Sequence, residues 1–328
     1  MLSRTANSIY WMSRYLERAE NVARFIDVNL NLTLDMPAEI GEQWAPLVNT
    51  TGDLELFAKR YRVPTRENVM YFLTFDRENP NSILSCVRHA RENARSVREV
   101  ISSEMWEQAN RFYLLVKDAS KNKSVAENTT EFYTAVKMAS HLFDGITEAT
   151  MSHGEAWHFL QIGELLERAD KTSRILDVKY FILLPEAKAV GTAIDNIQWA
   201  ALLKSASALE MYRKHSKLID PAKVADFLIL NRDFPRSVHS CLIRAAHSLH
   251  SITGSSEDAF SNKAEQGLGR LLGELNYTQI DEIIYEGLHE FLDKLQNRLN
   301  WIDDAIFEAF FTLRPLTGSN SYLTTQEQ

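Results

Sequence analysis

The residues with the clearest chemical potential in this chain belong to two similar segments, 16–28 and 166–178, which are identical at seven of thirteen positions. Each segment contains a Glu-Arg dipeptide, and a carboxylate beside a guanidinium can form an ion pair, bind a polar ligand or act as a general base. Surface charges usually drift between copies of a sequence, so charges that persist indicate a shared role. The four charged positions that persist are Glu17 and Glu167, Arg18 and Arg168, Arg24 and Arg174, and Asp27 and Asp177.

The first segment is predicted to be a helix that is too apolar to lie on the surface. Glu17 and Arg24 share one polar stripe at 100° per residue, but Tyr10 and Phe25 lie on or beside it and Ile26 lies opposite. A helix that is apolar nearly all round is usually buried, and buried charges must be paired or must meet a polar ligand. Two interpretations stay open and are compatible: an ion network between helices, and a charged cleft that binds a ligand or partner.

Two further spacings within the segments concern local charge. Glu20 precedes Arg24 by four residues, as Asp170 precedes Arg174, which is the spacing of an intrahelical ion pair. Position 14 is different, because Arg14 is matched by a glutamate at position 164. We interpret this change of sign as drift at a surface position.

Three more arginines are candidates for the same polar region. Arg77 and Arg232 each lie just before a proline that starts the next helical segment. They can pair with one of the two glutamates, form an anion site beside a helix N-terminus, or belong to a capping turn. Arg236 follows the second proline, whereas Asn81 occupies the matched position, so a site that uses Arg236 is asymmetric.

Other motifs do not predict a metal or a cofactor. The pairs Glu155–His158 and Glu286–His289 have the Glu-x-x-His spacing of di-iron carboxylate proteins, but they do not occupy matched positions. There is no glycine-rich phosphate loop, nucleophile elbow or zinc-ligand spacing. The sequence therefore carries no recognised catalytic signature, and we expect neither a metal nor a cofactor.

The repetition extends along the chain. Residues 73–87 match residues 228–242 at an offset of 155, and the periodicity is helical throughout. We therefore predict an all-α, pseudo-twofold helical bundle from an internal duplication. Its halves are 1–150 and 151–315, packed as one domain, and 316–328 form a flexible tail.

Composition and single residues narrow the setting. The net charge of −8 argues against nucleic-acid binding, and no apolar run is long enough to span a membrane. The N-terminus lacks the features of an export signal. Cys86 and Cys241 are predicted to be buried free thiols, and Trp44 and Trp199 to be matched core residues. Together these features favour a cytoplasmic protein.

Several motifs, in order, resemble the bacterial alpha-E family of helical Glu-Arg proteins. They are the N-terminal segment through Arg24, the segment from Trp157 to Asp170, and Phe234-Pro235-Arg236-Ser237-Val238. The resemblance covers nearly the whole chain and implies partnership with a circularly permuted ATP-grasp protein. Transglutaminase-like or peptidase companions are implied as well, in systems that make and break amide or peptide bonds. It implies no catalytic residues.

Three hypotheses for the function follow. The first is an accessory helical protein that binds an ATP-grasp amide ligase, or its substrate, through a charged cleft. The second is an enzyme of the same pathway that uses Glu17 or Glu167 as a general base beside Arg24 or Arg174. The third is a structural dimerisation module, which would make the protein a homo-oligomer.

Overall fold

A computed structural model describes residues 1–35, 44–121, 129–183 and 193–312. The predicted flexible tail, 316–328, lies outside these ranges. The described residues fold into fifteen α-helices and contain no strand, so the prediction of an all-α fold is confirmed. In chain order the helices are α1 (Ser3–Asp35), α2 (Ala45–Thr51), α3 (Leu54–Arg60), α4 (Arg66–Thr74), α5 (Ile83–Ser96), α6 (Ser103–Ala119), α7 (Thr129–Thr150), α8 (Glu155–Leu183), α9 (Ala193–Ser205), α10 (Leu209–His215), α11 (Pro221–Ile229), α12 (Val238–Thr253), α13 (Lys263–Tyr277), α14 (Ile280–Glu286) and α15 (Leu288–Ile306), which continues into a π-helical turn at Phe307–Phe311.

The helices pack in two similar groups around a central pair. Helix α1 contacts α5 and α7, which both contact α6, while α8 contacts α12 and α15, which both contact α13. The long helices α1 and α8 also pack on each other, so they form a seam between the two groups. No side chain between residues 9 and 30 of α1 is exposed, as expected for a helix that is apolar nearly all round. The two groups have the arrangement that a duplication predicts, although the duplication itself stays a prediction.

Similar local signals begin matched helices in the two groups. The Ser82 hydroxyl accepts a hydrogen bond from the Ser85 N–H of α5 at 3.2 Å. The Ser237 hydroxyl accepts one from the Ser240 N–H of α12 at 3.1 Å. A serine at this position satisfies one of the unpaired N–H groups of the first turn, so both helices begin at a defined residue.

A glycine allows the two central helices to approach closely. A Cβ atom at Gly163 of α8 would lie 2.4 Å from the Ser13 hydroxyl and 2.4 Å from the Tyr10 carbonyl oxygen of α1. Contacts further along the seam join higher-numbered residues on both helices, so α1 and α8 run side by side in the same direction. The seam therefore brings matched turns of the two helices together.

The matched aromatic and sulfur residues lie in the core. Trp44 and Trp199 are both buried, as predicted. Cys86 and Cys241 are buried free thiols, which confirms that prediction also. Burial raises the pKa of each thiol to about 12, so both stay protonated and unreactive at neutral pH.

Candidate functional site

The two Glu-Arg dipeptides meet across the α1–α8 seam and exchange partners. Arg168 donates from Nε and Nη2 to the two carboxylate oxygens of Glu17, at 3.1 and 2.7 Å. Arg18 donates in the same way to Glu167, at 2.7 and 2.9 Å. Neighbouring residues of a helix point about 100° apart, so each glutamate reaches the arginine of the other helix rather than its own neighbour. Such two-point pairs fix orientation as well as charge.

The first group of charges around this exchange is centred on Glu17. Arg236 reaches from the loop before α12 to Glu17 Oε1 at 3.0 Å, and it also donates to Glu20. Arg168 Nη2 lies 2.5 Å from a Glu164 oxygen, so this arginine bridges two carboxylates. We define the Glu17 cluster as Glu17, Glu20, Arg24, Glu164, Arg168 and Arg236.

Helix α7 borders the Glu17 cluster. His141 Nε2 lies 3.2 Å from Glu20 Oε1 and 2.9 Å from Arg24 Nη2. Arg24 Nη2 also donates to Glu20 Oε1 at 2.6 Å, the i, i+4 pair that the spacing predicts. Glu20 is completely buried, and its hydrogen bonds all fall on Oε1. Its Oε2 is buried and has no hydrogen-bond partner among the described residues.

Asp144 lies one turn beyond His141 on the same helix. It is half-buried, and its carboxylate makes no hydrogen bond or ion pair to another described residue. Burial and the nearby Glu164 carboxylate raise the pKa of Asp144 well above its usual range, and Glu20 and Glu17 add to the effect while Arg168 opposes it. When Asp144 is counted with the Glu17 cluster, four carboxylates meet three arginines at this border.

The second group is centred on Glu167, which is completely buried. Besides the hydrogen bonds from Arg18, its carboxylate accepts one from Arg14 Nε at 3.0 Å, and Lys171 Nζ lies 3.4 Å from it. Asp170 lies 2.9 Å from Lys171 and 2.9 Å from Arg174. We define the Glu167 cluster as Arg14, Arg18, Glu167, Asp170, Lys171 and Arg174.

Side chains outside α1 and α8 complete the Glu167 cluster. Arg14 Nη1 lies 2.5 Å from Asp303 Oδ1 of α15. Arg18 Nη1 donates to Asn81 Oδ1 at 2.7 Å, and Asn81 donates to Asp53 at 2.8 Å. Every cation of this group has a carboxylate within ion-pair distance, and the four cations share the three carboxylates of Glu167, Asp170 and Asp303.

The interpretation of position 14 as a drifting surface position is wrong. Arg14 and Glu164 are both buried, and each belongs to one of the two clusters. The change of sign is tolerated because each has an opposite charge within reach: Arg14 pairs with Glu167, and Glu164 pairs with Arg168. The change therefore makes the two clusters chemically different.

The matched aspartates form a separate pair of contacts further along the helices. Asp27 lies 2.6 Å from Lys137 of α7, and Asp177 lies 2.6 Å from His289 of α15. His289 thus pairs with Asp177 rather than forming a metal site with Glu286. Within the described ranges, no group of three or more His, Cys, Asp or Glu side chains is placed to hold a metal ion.

Arg77 and Arg232 do not join either cluster. Both are exposed, and the Arg232 guanidinium donates to Asn276 Oδ1 at 2.8 Å. The contact across the bundle to Glu17 that the sequence suggested for them is made instead by Arg236, which lies four residues after Arg232. The matched arginines before the prolines, Arg77 and Arg232, therefore did not indicate the contact with Glu17. The unmatched arginine after the second proline, Arg236, did.

The ionisation of the two central glutamates is fixed by their neighbours. Burial alone would raise the pKa of Glu17, but Arg168 and Arg236 outweigh burial and hold the pKa below its usual value. Burial is likewise outweighed at Glu167, where Arg18, Lys171 and Arg14 hold the pKa well below its usual value. Both glutamates are therefore carboxylates at neutral pH and are poorly suited to accept a proton.

Several residues of the site were not anticipated from the sequence, among them Lys171, Asp144 and Asp303. Lys171 lies inside the repeated segment, where its replacement of Asn21 was a visible signal of added positive charge. Asp144 and Asp303 lie on α7 and α15, outside the repeated segments, and only the packing of these helices on the seam brings them to the clusters.

The protein is all-helical and carries two Glu-Arg dipeptides that pair across its central helices. A family model describes the same two features. The Alpha-E model, described as a predicted alpha-helical domain with a conserved ER motif, matches residues 1–311. The chain belongs to the Alpha-E family. Its two Glu-Arg dipeptides are the residues that exchange partners across the seam, so the motif joins two helices here.

Comparison with curated proteins gives relatives that are much longer. The uncharacterized protein Mb2597 of Mycobacterium bovis is 22% identical over 310 residues, which cover 89% of this chain and 34% of that protein. The uncharacterized protein Rv2567 of Mycobacterium tuberculosis is 21% identical, with the same coverage. The chain thus spans about a third of the length of these relatives. No solved structure matches it. None of the described helices has the length and apolar character needed to cross a membrane.

Proposed function

We propose that this chain is a non-catalytic helical binding protein that works with a circularly permuted ATP-grasp amide ligase. In this proposal the pair acts in the synthesis or modification of a peptide or small amide metabolite. Transglutaminase-like or peptidase proteins are further companions of the system. The cytoplasm is the compartment proposed for it.

The observation that carries the proposal is that the central glutamates are paired with arginines across the seam. Glu17 and Glu167 are buried, held as carboxylates and clamped by arginines on the opposite helix. Carboxylates whose pKa values are held low and whose oxygens accept hydrogen bonds from arginines stabilise a seam but accept a proton poorly near neutral pH. This argues against the hypothesis in which either glutamate is a general base. A binding role requires no such group.

The length of the curated relatives gives separate support. In those proteins the matched region is about a third of one polypeptide, so it is covalently joined to a large additional part. A helical region that is joined to a much larger part in its relatives is compatible with a unit that works beside another protein. The identity of that protein as an ATP-grasp ligase rests on the family resemblance.

The test is reconstitution with the permuted ATP-grasp protein from the same organism. We expect a stable complex in size-exclusion chromatography and calorimetry, and ligase turnover that increases when this chain is added. Amide-bond formation or cleavage by the isolated chain, without the ligase, would overturn the proposal. A self-associated chain that forms no complex would instead favour the dimerisation module.

One observation favours an enzymatic alternative that differs from the one based on Glu17 or Glu167. Asp144 is half-buried at the border of the Glu17 cluster, and its raised pKa makes it a candidate proton donor. Under this alternative the isolated chain has activity that Asp144→Asn abolishes. The matched control is Asp293→Asn, an exposed aspartate of α15.

A further inference from the structure

The outer face of α7 exposes two large apolar side chains on adjacent turns. Met138 and Leu142 lie one turn apart and are 58% and 52% exposed. His141 and Gly145 are also exposed on this side of the helix. We call these four residues, Met138, His141, Leu142 and Gly145, the α7 face. Single exposed apolar residues are common, but a contiguous group on one helix face is a sign of an interaction surface.

The matched helix α15 provides an internal comparison. Lys137 of α7 and His289 of α15 make the same contact with the matched aspartates, which fixes the alignment of the two helices. In this alignment, three residues of the α7 face correspond to charged or polar residues that are exposed on α15. They are Met138 with Glu290, Leu142 with Lys294, and Gly145 with Asn297.

No contact within the described part of the chain requires a glycine at position 145. A Cβ atom at this position would meet nothing within 4 Å. A glycine inside a helix lowers the helix propensity relative to alanine, so the chain carries a cost here without a packing benefit. Gly269 and Gly273 of α13 have equally open surroundings, so Gly145 permits a close approach by another molecule without requiring one.

The carboxylate of Asp144, at the edge of the α7 face, indicates the chemistry of a molecule that would bind there. His141 contacts Glu20 of the Glu17 cluster, so this edge faces the cluster. Asp144 lies on the same edge and has no hydrogen-bond or ion-pair partner among the described residues, and the buried Glu20 Oε2 also lacks one. An ionised Asp144 carboxylate beside an apolar surface is complementary to a cation that is flanked by apolar groups.

We propose that the α7 face is the docking surface for the partner protein, which places a lysine or arginine side chain against Asp144 and packs apolar side chains on Met138 and Leu142. This inference rests on the proposed function, because it names the surface that the ligase contacts. A free small cation would use Asp144 but not the apolar part of the face. A lysine or arginine flanked by apolar residues uses both.

The experiment measures the Kd of the complex with the permuted ATP-grasp protein by calorimetry for the wild-type chain and four variants. Leu142→Glu and Asp144→Asn are expected to weaken binding about tenfold or more, because one removes the apolar contact and the other the charge. Gly145→Ala fills open space without disturbing the fold and is also expected to weaken binding. Lys294→Glu on α15 is the matched control and is expected to leave the Kd unchanged.

The outcomes separate this inference from the proposed function. If the wild-type chain does not bind the ligase, the proposed function fails and the docking surface fails with it. If the wild-type chain binds and the α7 variants bind equally well, only the docking surface is overturned. Circular dichroism and thermal unfolding of each variant check the fold. Gly145→Ala and Asp144→Asn are chosen because neither removes a contact of the folded chain.

Discussion

The Glu17 and Glu167 clusters are built on the same pair of helices, but their charges are balanced differently. In both, a buried glutamate of one central helix is held by the arginine of the other. The Glu167 cluster surrounds its glutamate with three cations, two of which keep a second carboxylate partner. The Glu17 cluster instead gathers carboxylates, and at its α7 border it leaves Asp144 and one oxygen of Glu20 without a partner among the described residues. We call the Glu167 cluster closed, because each of its cations lies within ion-pair distance of a carboxylate, and the Glu17 cluster open, because Asp144 at its border has no such partner among the described residues.

The difference arises from a few matched positions rather than from a different fold. Substitutions that add positive charge to one cluster or remove it from the other account for most of it. The matched pairs concerned are Arg14 with Glu164 and Asn21 with Lys171, which give the Glu167 cluster more positive charge. Arg236, which is matched by Asn81, instead adds a cation to the Glu17 cluster. A symmetric pair of ion pairs is thus kept while the charges around it differ, and an unpaired aspartate, Asp144, lies beside only the Glu17 cluster.

Lowering the pH protonates carboxylates in both clusters, and we expect it to cause the largest loss of stability. Arginines outweigh burial and hold the pKa values of Glu17, Glu20 and Glu167 below their usual value in the folded protein. Their stabilisation is complete above the pKa of an unfolded glutamate, about 4.3, and is lost as the pH falls below it. We expect the free energy of unfolding, measured with urea and circular dichroism, to fall steeply below about pH 4. A constant value down to about pH 3 would contradict this account.

Removing one carboxylate from each cluster tests whether the closed cluster depends more on its glutamate. Glu167→Gln leaves Arg18 without a carboxylate partner and is expected to cost about 3–5 kcal/mol of unfolding free energy. Glu17→Gln is expected to cost about 2 kcal/mol, because Arg168 keeps Glu164 and Arg236 keeps Glu20. Urea denaturation at neutral pH measures both variants. Equal losses would mean that the two clusters do not differ in this respect.

The sequence predicted the helical fold, and it offered an ion network between helices as one interpretation of the repeated charges, because helix periodicity and a recurring motif are local signals. It did not predict the exchange of partners, since that depends on how α1 and α8 lie against each other. Arg14 and Glu164 were misread because a change of charge looks like drift until the partners across the seam are known. Asp144 gave no signal in the sequence, because a single aspartate on an amphipathic helix is ordinary.

The seam itself can be disturbed without changing a charge. Gly163→Ala would place a methyl group against the Ser13 hydroxyl and the Tyr10 carbonyl of α1. Forcing the helices apart is expected to cost about 1–3 kcal/mol and to weaken both ion-pair exchanges equally. The control is Gly145→Ala on α7, where space is open and the higher helix propensity is expected to add up to about 1 kcal/mol. If Gly163→Ala proves as stable as its control, the close approach of the helices does not limit the seam.

The smallest expected change concerns the open cluster alone. Burial and Glu164 raise the pKa of Asp144, so its ionised form is disfavoured in the folded chain. Its cost to stability therefore appears as the pH rises above the pKa of an unfolded aspartate, about 3.9, and vanishes below it. Asp144→Asn is expected to stabilise the protein by about 0.5–1 kcal/mol at neutral pH and not at all below about pH 4.

The sign of this change is what distinguishes the two clusters. Every carboxylate removed from the closed cluster should destabilise the protein, whereas the removal of Asp144 should stabilise it and weaken partner binding. A residue that costs stability and improves binding is expected at a functional surface, because selection for function tolerates the cost. Thermal unfolding of Asp144→Asn at neutral and acid pH, with Asp293→Asn as control, measures the effect. A loss of stability at neutral pH would assign Asp144 to the structural network and leave the Glu17 cluster as closed as its counterpart.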